Sequence, residues 1–325
     1  MRRVALIGCG DVSTVHFDAL ADIADAELVA VCDRDADVLL SAVERFGVPG
    51  FRNHRDMLRD AKPDVVHICT PHSEHAKQAI NALNAGVHVL LEKPLADDIE
   101  HGDELVEVAQ RSSAKIGVCF QNRYNPTSVA LKQVLDSGRF GKMLGARAQV
   151  MWTRTADYYT AKPWRGTWDG SGGGLMMNQA VHTVDLVQWL IGEVDAITGV
   201  TSALMFGDVI EVEDTTVAVF EHVNGVRTNF YATLTHFTNA PVLIEIVCEL
   251  GTLRLEGDLK AILPDGTIEI LATADVVKTA RNYWGASHSR LIEDFYAKLD
   301  DDAPFWIDAA EAFKSLDIVQ SLYAS

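Results

Sequence analysis

Positive charge is scarce in this 325-residue chain: 28 Lys and Arg stand against 46 Asp and Glu, a formal net charge of −18. Such a surface repels phosphate backbones, so nucleic acid is not an expected partner. Long apolar runs are missing too. None approaches the length needed to span a bilayer, and no membrane partner is expected. No charged region, apolar stretch and cleavage site precede the first strand-like run at residues 4–7, which makes the cytoplasm the expected compartment. The five cysteines (Cys9, Cys32, Cys69, Cys119 and Cys248) include no Cys-x-x-Cys pair. They predict buried free thiols, with neither a disulfide framework nor a metal site.

The length is enough for two domains and a sizeable core, and the 48% hydrophobic, 23% charged composition is that of a globular protein. Apolar β-type runs at 4–8, 28–33, 65–70, 88–91 and 116–120 alternate with helical patterns such as 35–46 and 75–85. That alternation predicts a parallel sheet with crossover helices over a first domain, 1–121. Gly47 and Gly86 follow two of these helices as C-caps. A second domain, 122–325, reads differently. A helix is expected at 125–136, a strand at 145–155 and a helix at 175–190 after the run Gly172-Gly173-Gly174. Residues 196–272 then form a series of strands, with a hairpin at Asn224-Gly225 and a turn at Asp265-Gly266. The class is therefore α/β, a parallel-sheet domain plus an α/β domain with a large, mostly antiparallel open sheet. Helices at 288–299 and 308–323 close the chain.

Gly8-Cys9-Gly10-Asp11-Val12-Ser13 follows a strand and opens a helix. The first glycine permits a tight turn, and the second lets backbone N–H groups approach a pyrophosphate at the helix N-terminus. Ser13 occupies the third position, where the packing must tolerate a hydroxyl. Asp33, 23 residues beyond Gly10, ends the next strand. Its carboxylate suits two ribose hydroxyls and repels a 2′-phosphate, favouring NAD over NADP. Arg34 keeps NADP open, because a guanidinium there suits that phosphate. The loop Thr70-Pro71-His72-Ser73-Glu74-His75 ends the third strand, where ligands bind; for His75 a cofactor contact and a structural role weigh equally.

Lys93 stands in His88-Val89-Leu90-Leu91-Glu92-Lys93-Pro94, an ammonium carried to the carboxyl end of a strand. Asn178, His182 and Asp185 are spaced i, i+4 and i+7 on one helix face, and His182 has the pKa range of a general base. Arg154 and Tyr158, then Trp164 and Arg165, combine aromatics with guanidinium donors, which suits a polyhydroxylated ring or an anionic group.

Together these residues resemble the glucose–fructose oxidoreductase / inositol dehydrogenase (Gfo/Idh/MocA) family over essentially the whole chain. The resemblance rests on Gly8-x-Gly10, Asp33, Thr70-Pro71 with His75, Glu92-Lys93-Pro94, and Gly172-Gly173-Gly174 with His182 and Asp185. It implies a Rossmann domain binding NAD(P), a C-terminal sheet making a homodimer or homotetramer, and a dehydrogenase or reductase of sugars, cyclic polyols or nucleotide sugars. On that resemblance Lys93, His182 and Asn178 are catalytic. Gly8, Gly10, Asp11, Val12, Asp33, Arg34, Thr70, Pro71, His72, His75, Glu92, Lys93 and Gln121 bind cofactor. Arg123, Tyr124, Arg154, Tyr158, Trp164, Arg165 and Asp185 bind substrate. Asn178 departs from the aspartate that many members carry, and matches a branch that includes oxidases of nucleotide-linked N-acetylhexosamine uronates. His182 takes the hydroxyl proton while Lys93 stabilises charge on the oxygen, or the two roles are exchanged. An enzyme that keeps its cofactor bound between two sugars, a redox-assisted elimination and a non-catalytic NAD-binding regulator are the alternatives.

Overall fold

The computed structural model describes residues 1–275 and 287–324. The chain divides into two compact units: Met1–Gln121 with Ser287–Phe313, and Asn122–Ala286 with Lys314–Ser325. Residues 287–313 therefore count with the first unit, where the sequence predicts an unbroken second domain over 122–325. The physical reason is at Gly117, where a Cβ would lie 2.8 Å from Phe295 and 2.9 Å from Phe305. These rings pack directly on the backbone of the last parallel strand. No helix among the described residues is long and apolar enough to cross a membrane.

In the first unit, six strands alternate with helices: β1 (Arg2–Ile7), α1 (Ser13–Ala21), β2 (Ala26–Cys32), α2 (Ala36–Phe46), β3 (Gly50–Phe51), α3 (His54–Ala61), β4 (Val65–Ile68), α4 (His75–Asn84), β5 (His88–Leu91), α5 (Ile99–Arg111) and β6 (Ile116–Val118). The strands pair in parallel in the order β3-β2-β1-β4-β5-β6. Both faces are covered by helices, so the strands are continuous apolar runs: Val4, Ala5, Leu6, Val65, Val66, Val89, Leu90 and Leu91 are wholly buried. Asp35 caps α2 by accepting from the N–H groups of Asp37 and Val38, and Gly47 ends that helix in the left-handed region. Strand order reverses between β1 and β4, which opens a crevice at the carboxyl ends.

The second unit holds α6 (Pro126–Asp136), β7 (Met143–Met151), α7 (Ala156–Thr160), α8 (Trp168–Ser171), α9 (Val181–Ile191), β8 (Val194–Ser202), β9 (Thr215–His222), β10 (Arg227–Thr233), β11 (Leu243–Cys248), β12 (Gly251–Glu256), β13 (Asp258–Ile262) and β14 (Ile268–Ala272). Its eight-stranded sheet runs β14-β13-β12-β11-β7-β10-β9-β8 and is antiparallel except for the β7–β10 pair. Asn224-Gly225 turns the β9–β10 hairpin, with Gly225 at φ 83° and the Asn224 side chain accepting from Val226 N–H. Along β9 and β10 buried and open residues alternate, leaving one face of the sheet outward. Two helices close the described chain, α10 (Ser287–Ala297) and α11 (Ala309–Ala324).

The helix expected at 175–190 is in fact two pieces. A π-helical turn, Met176–Ala180, precedes α9. Such turns are rare and concentrate at functional sites.

Candidate active site

The dinucleotide loop is built on a backbone contact. Gly8 has φ +89°, and a Cβ there would meet the Cys69 carbonyl carbon and oxygen at 2.7 Å. The ends of β1 and β4 thus touch in a way only glycine allows. The Asp33 carboxylate is positioned from both sides, accepting from Cys9 N–H at 2.8 Å and Asp35 N–H at 2.9 Å. Ser13, the departure at the third position, is buried and donates its hydroxyl to the Gly10 carbonyl at 2.6 Å. Its extra oxygen is therefore satisfied. Val12 precedes α1 as its N-cap residue and makes no side-chain capping bond. Asp11 accepts through its carbonyl from the Thr14 hydroxyl at 2.8 Å. Arg34 donates to Glu74 at 2.6 Å, an ion pair that occupies the guanidinium which kept NADP open.

Beyond β4, Thr70 donates to the Gln78 side chain at 2.9 Å. His75 is buried, its Nε2 2.9 Å from the Thr70 carbonyl and its Nδ1 2.7 Å from the Pro94 carbonyl. Both ring nitrogens face backbone carbonyls, so a single ring N–H from His75 ties either the Thr70-Pro71 loop or the residue after Lys93, and the ring spans the two. Burial pushes its pKa down, despite the two carbonyls. His72 is buried beside it, the ring centroids 5.7 Å apart. The Gln121 Oε1, just after β6, is buried with no hydrogen-bond partner among the described residues. A glycine cradle, an oriented carboxylate at the end of β2 and an orphaned buried amide oxygen at the carboxyl edge together fit a bound dinucleotide.

Glu92 ends β5, its N–H bonded to the Ile68 carbonyl at 2.9 Å. Its carboxylate is buried among histidines: His16 Nε2 lies 3.0 Å and His288 Nε2 3.1 Å from Oε1. The three donor atoms cluster within 4.8 Å. His16 in turn meets His67, and His67 meets Tyr296. No local pattern in the sequence points to these partners, because they come from α1, β4 and α10. Lys93 follows Glu92 directly, half-buried, with a cis bond to Pro94.

In the second unit, the glycine run lets the π-turn close on a carboxylate. Glu213 accepts from the N–H groups of Gly174 at 2.9 Å and Met176 at 2.7 Å, and from the Tyr323 hydroxyl at 2.8 Å. A Cβ on Gly174 would collide with the Glu213 carbonyl oxygen. Burial pushes the Glu213 carboxyl up in pKa, against the hydrogen bonds that hold it down. Sequence reading missed Glu213. Its only signal is an acidic pair, Glu213-Asp214, at the mouth of an apolar strand.

The π-turn aims Asn178 and Gln179 together at Tyr158, whose hydroxyl accepts from their amides at 3.3 and 2.9 Å. The Arg165 guanidinium lies 4.3 Å and that of Arg154 5.2 Å from the Tyr158 ring centroid. Trp164 stands 5.8 Å from Arg165. Arg154, Tyr158, Trp164, Arg165 and Asn178, separate in sequence, thus form one constellation, and α9 leaves it carrying the half-buried His182. Tyr124 is half-buried at the end of the short turn Gln121–Tyr124. Arg123 and Asp185 are buried and paired with each other, which ties both side chains into the fold.

Residues 2–120 match the model of an oxidoreductase family with an NAD-binding Rossmann fold, and residues 128–254 match the GFO/IDH/MocA C-terminal domain. The WlbA dehydrogenase from Bordetella pertussis, crystallised with NADH and UDP-GlcNAcA, is 32% identical, with a TM-score of 0.87 over 99% of this chain and 95% of that one. An oxidoreductase from Formosa agariphila is 33% identical over 59% of this chain, and the match spans 61% of that relative. Inositol 2-dehydrogenase 2 from Saccharopolyspora erythraea is 30% identical over 78% of this chain and 73% of that one. With its parallel sheet, its glycine cradle and its antiparallel second sheet, the chain belongs to the GFO/IDH/MocA family of NAD-binding oxidoreductases.

Proposed function

We propose that this protein is an NAD-dependent dehydrogenase that oxidises a ring hydroxyl of a carbohydrate carrying an anionic group, such as a nucleotide-linked uronate. The observation that carries the reading is the constellation at Tyr158, where Arg154 and Arg165 meet the amides of the turn that precedes His182. Two guanidiniums suit a carboxylate or phosphate, and the aromatic faces suit a sugar ring. The likeness to a dehydrogenase crystallised with NADH and UDP-GlcNAcA supports the same substrate class.

Gly8, Gly10, Asp11 and Val12 would hold the pyrophosphate and Asp33 the adenosine ribose, with Thr70, Pro71, His72 and Gln121 on the nicotinamide side. When bound, that group accepts or returns a hydride. The chain's own residues manage the proton and the charge. On this reading the hydroxyl proton is assigned to His182 and the stabilisation of developing negative charge to the Lys93 ammonium. Asn178 orients the turn through Tyr158 and adds no charge of its own. Asp33 and the Arg34–Glu74 pair favour NAD over NADP.

The test is a spectrophotometric screen of NAD⁺ and NADP⁺ reduction across neutral polyols, sugar phosphates and nucleotide-linked uronates. Turnover is expected with anionic substrates and NAD⁺. Efficient turnover confined to neutral polyols would overturn the substrate class.

A second copy of the chain is the partner that suits the open face of the second sheet. Strand register puts Val200, Val217 and Tyr231 on that face, together with the Arg147–Glu245 ion pair and Val247. Val200 and Val217 are more than half exposed. Mixed apolar and paired-charge surface of this kind suits a homodimer or homotetramer interface. Light scattering on the eluting protein tests it, and a monomer at high concentration would refute it.

A further inference from the structure

Five polar side chains of the first unit form one chain of hydrogen bonds. The Tyr296 hydroxyl lies 3.0 Å from His67 Nε2, and His67 Nδ1 lies 2.9 Å from His16 Nδ1. His16 Nε2 and His288 Nε2 both meet Glu92 Oε1, at 3.0 and 3.1 Å. Proton counting sets its direction. Two imidazoles can share one carboxylate oxygen only if each presents an N–H to it. His16 Nδ1 is then a bare lone pair and accepts from the Nδ1–H of His67. His67 Nε2 is bare in turn and accepts from the Tyr296 hydroxyl. His288 Nδ1 is buried without a partner among the described residues, so this ring is held through its Nε2 alone. The Cys119 thiol supplies a further bond to Glu92. One set of tautomers thus satisfies every bond from Tyr296 through His67 and His16 to Glu92, and the Glu92 carboxylate is the acceptor on which the chain ends.

The place of that charge matters. The fold has two mononucleotide halves. Asp33 ends β2 and marks the adenosine half. Glu92 ends β5, on the other side of the switch between β1 and β4. Its N–H bonds to Ile68, one residue before Cys69, whose backbone abuts Gly8. Glu92 therefore belongs to the half that receives the nicotinamide.

We propose that the His67–His16–Glu92–His288 network holds a fixed, buried negative charge in the nicotinamide half, where it favours the cationic oxidised ring over the neutral reduced one. This rests on the reading of the protein as an NAD-dependent dehydrogenase. By Coulomb's law a unit charge roughly 10 Å away in a medium of effective dielectric constant near 20 amounts to about a ten-fold bias. Lys93 contributes equally with and without the Glu92 charge, so comparison of the two isolates Glu92.

Glu92→Gln tests this. It keeps the volume and an amide oxygen for His16 and His288, and removes the charge. Dissociation constants of NAD⁺ and NADH are measured by calorimetry on the full chain, with thermal melting as the check on folding. The ratio of the NAD⁺ constant to the NADH constant is expected to rise about ten-fold. Tyr296→Phe removes the distant donor but leaves the carboxylate, and is expected to keep the ratio. A folded E92Q with an unchanged ratio overturns the proposal and leaves the dehydrogenase reading intact. An unsubstituted protein that binds neither form overturns that reading instead. Should E92Q not fold, the unsubstituted protein decides by the pH dependence of the ratio. The titratable groups facing Glu92 are His16, His67, His75, His288, Cys69 and Cys119, with Lys93 beside it. A fixed carboxylate leaves the ratio flat between roughly pH 7 and 8. A ratio that titrates there with one proton refutes the fixed charge.

Discussion

The Arg123 guanidinium grips the Asp185 carboxylate through two parallel bonds, Nε to Oδ2 at 2.8 Å and Nη2 to Oδ1 at 2.6 Å, with both side chains 1% exposed. Ser315 donates to the same carboxylate at 3.2 Å, and the Trp189 ring lies 5.5 Å from the guanidinium. The pair fastens the turn Gln121–Tyr124 to α9 three residues beyond His182. Removing one partner strands a buried charge. Asp185→Ala is expected to cost about 3–5 kcal/mol in urea unfolding, whereas the double replacement Arg123→Met with Asp185→Leu recovers most of that loss. Equal stability of the single and double variants would show that the charges do not depend on each other.

Lys93→Met and His182→Ala separate chemistry from binding. Neither side chain is assigned to the pyrophosphate or the adenosine ribose, so cofactor binding measured by calorimetry is expected to persist in both variants. Turnover is expected to fall roughly 10²–10⁴-fold in each. Their pH–rate profiles distinguish the two assignments of base and electrostatic partner. The variant that loses the acidic limb of the profile has lost the base.

What could be read from the sequence was what neighbours along the chain decide. The strands around Val4, Val66 and Leu90 announce themselves because a sheet buried on both faces needs unbroken apolar runs. Gly8 and Asp33 are legible because a tight turn and a ribose contact recur at a set spacing. The constellation of Arg154, Tyr158, Trp164 and Arg165 was legible as composition but not as geometry, since Asn178 and Gln179 join it only through the π-turn. That turn depends on Glu213, 39 residues beyond Gly174. Likewise His16, His67 and His288 carry no local pattern; 51 residues separate the first two, and 196 separate Glu92 from His288. The helical period of 287–297 shows an apolar face but not which core it joins. The ion pair of Arg123 with Asp185 was hidden for the same reason, and each residue alone resembled a ligand contact.

In the proposed function Asp33 is assigned the choice between NAD and NADP. Its carboxylate is held in place by Cys9 and Asp35, so a ribose meets an oriented acceptor. Asp33→Ser removes the charge and shortens the reach. A lost charge-assisted hydrogen bond is worth about 1.5–3 kcal/mol, so kcat/KM with NAD⁺ is expected to fall roughly ten- to a hundred-fold. NADP⁺ use is expected to rise in the same variant, because the 2′-phosphate is no longer repelled. Adding Glu74→Gln frees Arg34 and is expected to raise it further. Unchanged preference in the double variant would place cofactor selection elsewhere.

Acid sensitivity follows from the buried histidines. Burial lowers the pKa of His16, His67 and His75, each beside a cationic or imidazole neighbour that lowers it further. In the unfolded chain each titrates near the ordinary value of about 6.5. Below that pH the unfolded state takes up protons that the folded state refuses, so stability falls as pH falls towards the folded pKa values. Each neutral histidine contributes a slope of at most about 1.4 kcal/mol per pH unit. Glu92, held ionised by its histidine partners despite burial, adds a loss of the same sign once the pH passes below the ordinary carboxyl range. His101 works in the opposite direction. Its hydrogen bond to Asp97 raises its pKa, so that pair is complete below about 6.5 and lost as pH rises, but it is exposed and screened. Urea midpoints are therefore expected to be flat from pH 8 to roughly 7 and to drop steeply by pH 5. His67→Phe, which removes one of the three neutral imidazoles, is expected to make that drop shallower even where it lowers stability at neutral pH. An unchanged slope in that variant would mean that His67 is already protonated in the folded state, and would reverse the direction assigned to the chain of hydrogen bonds that ends at Glu92.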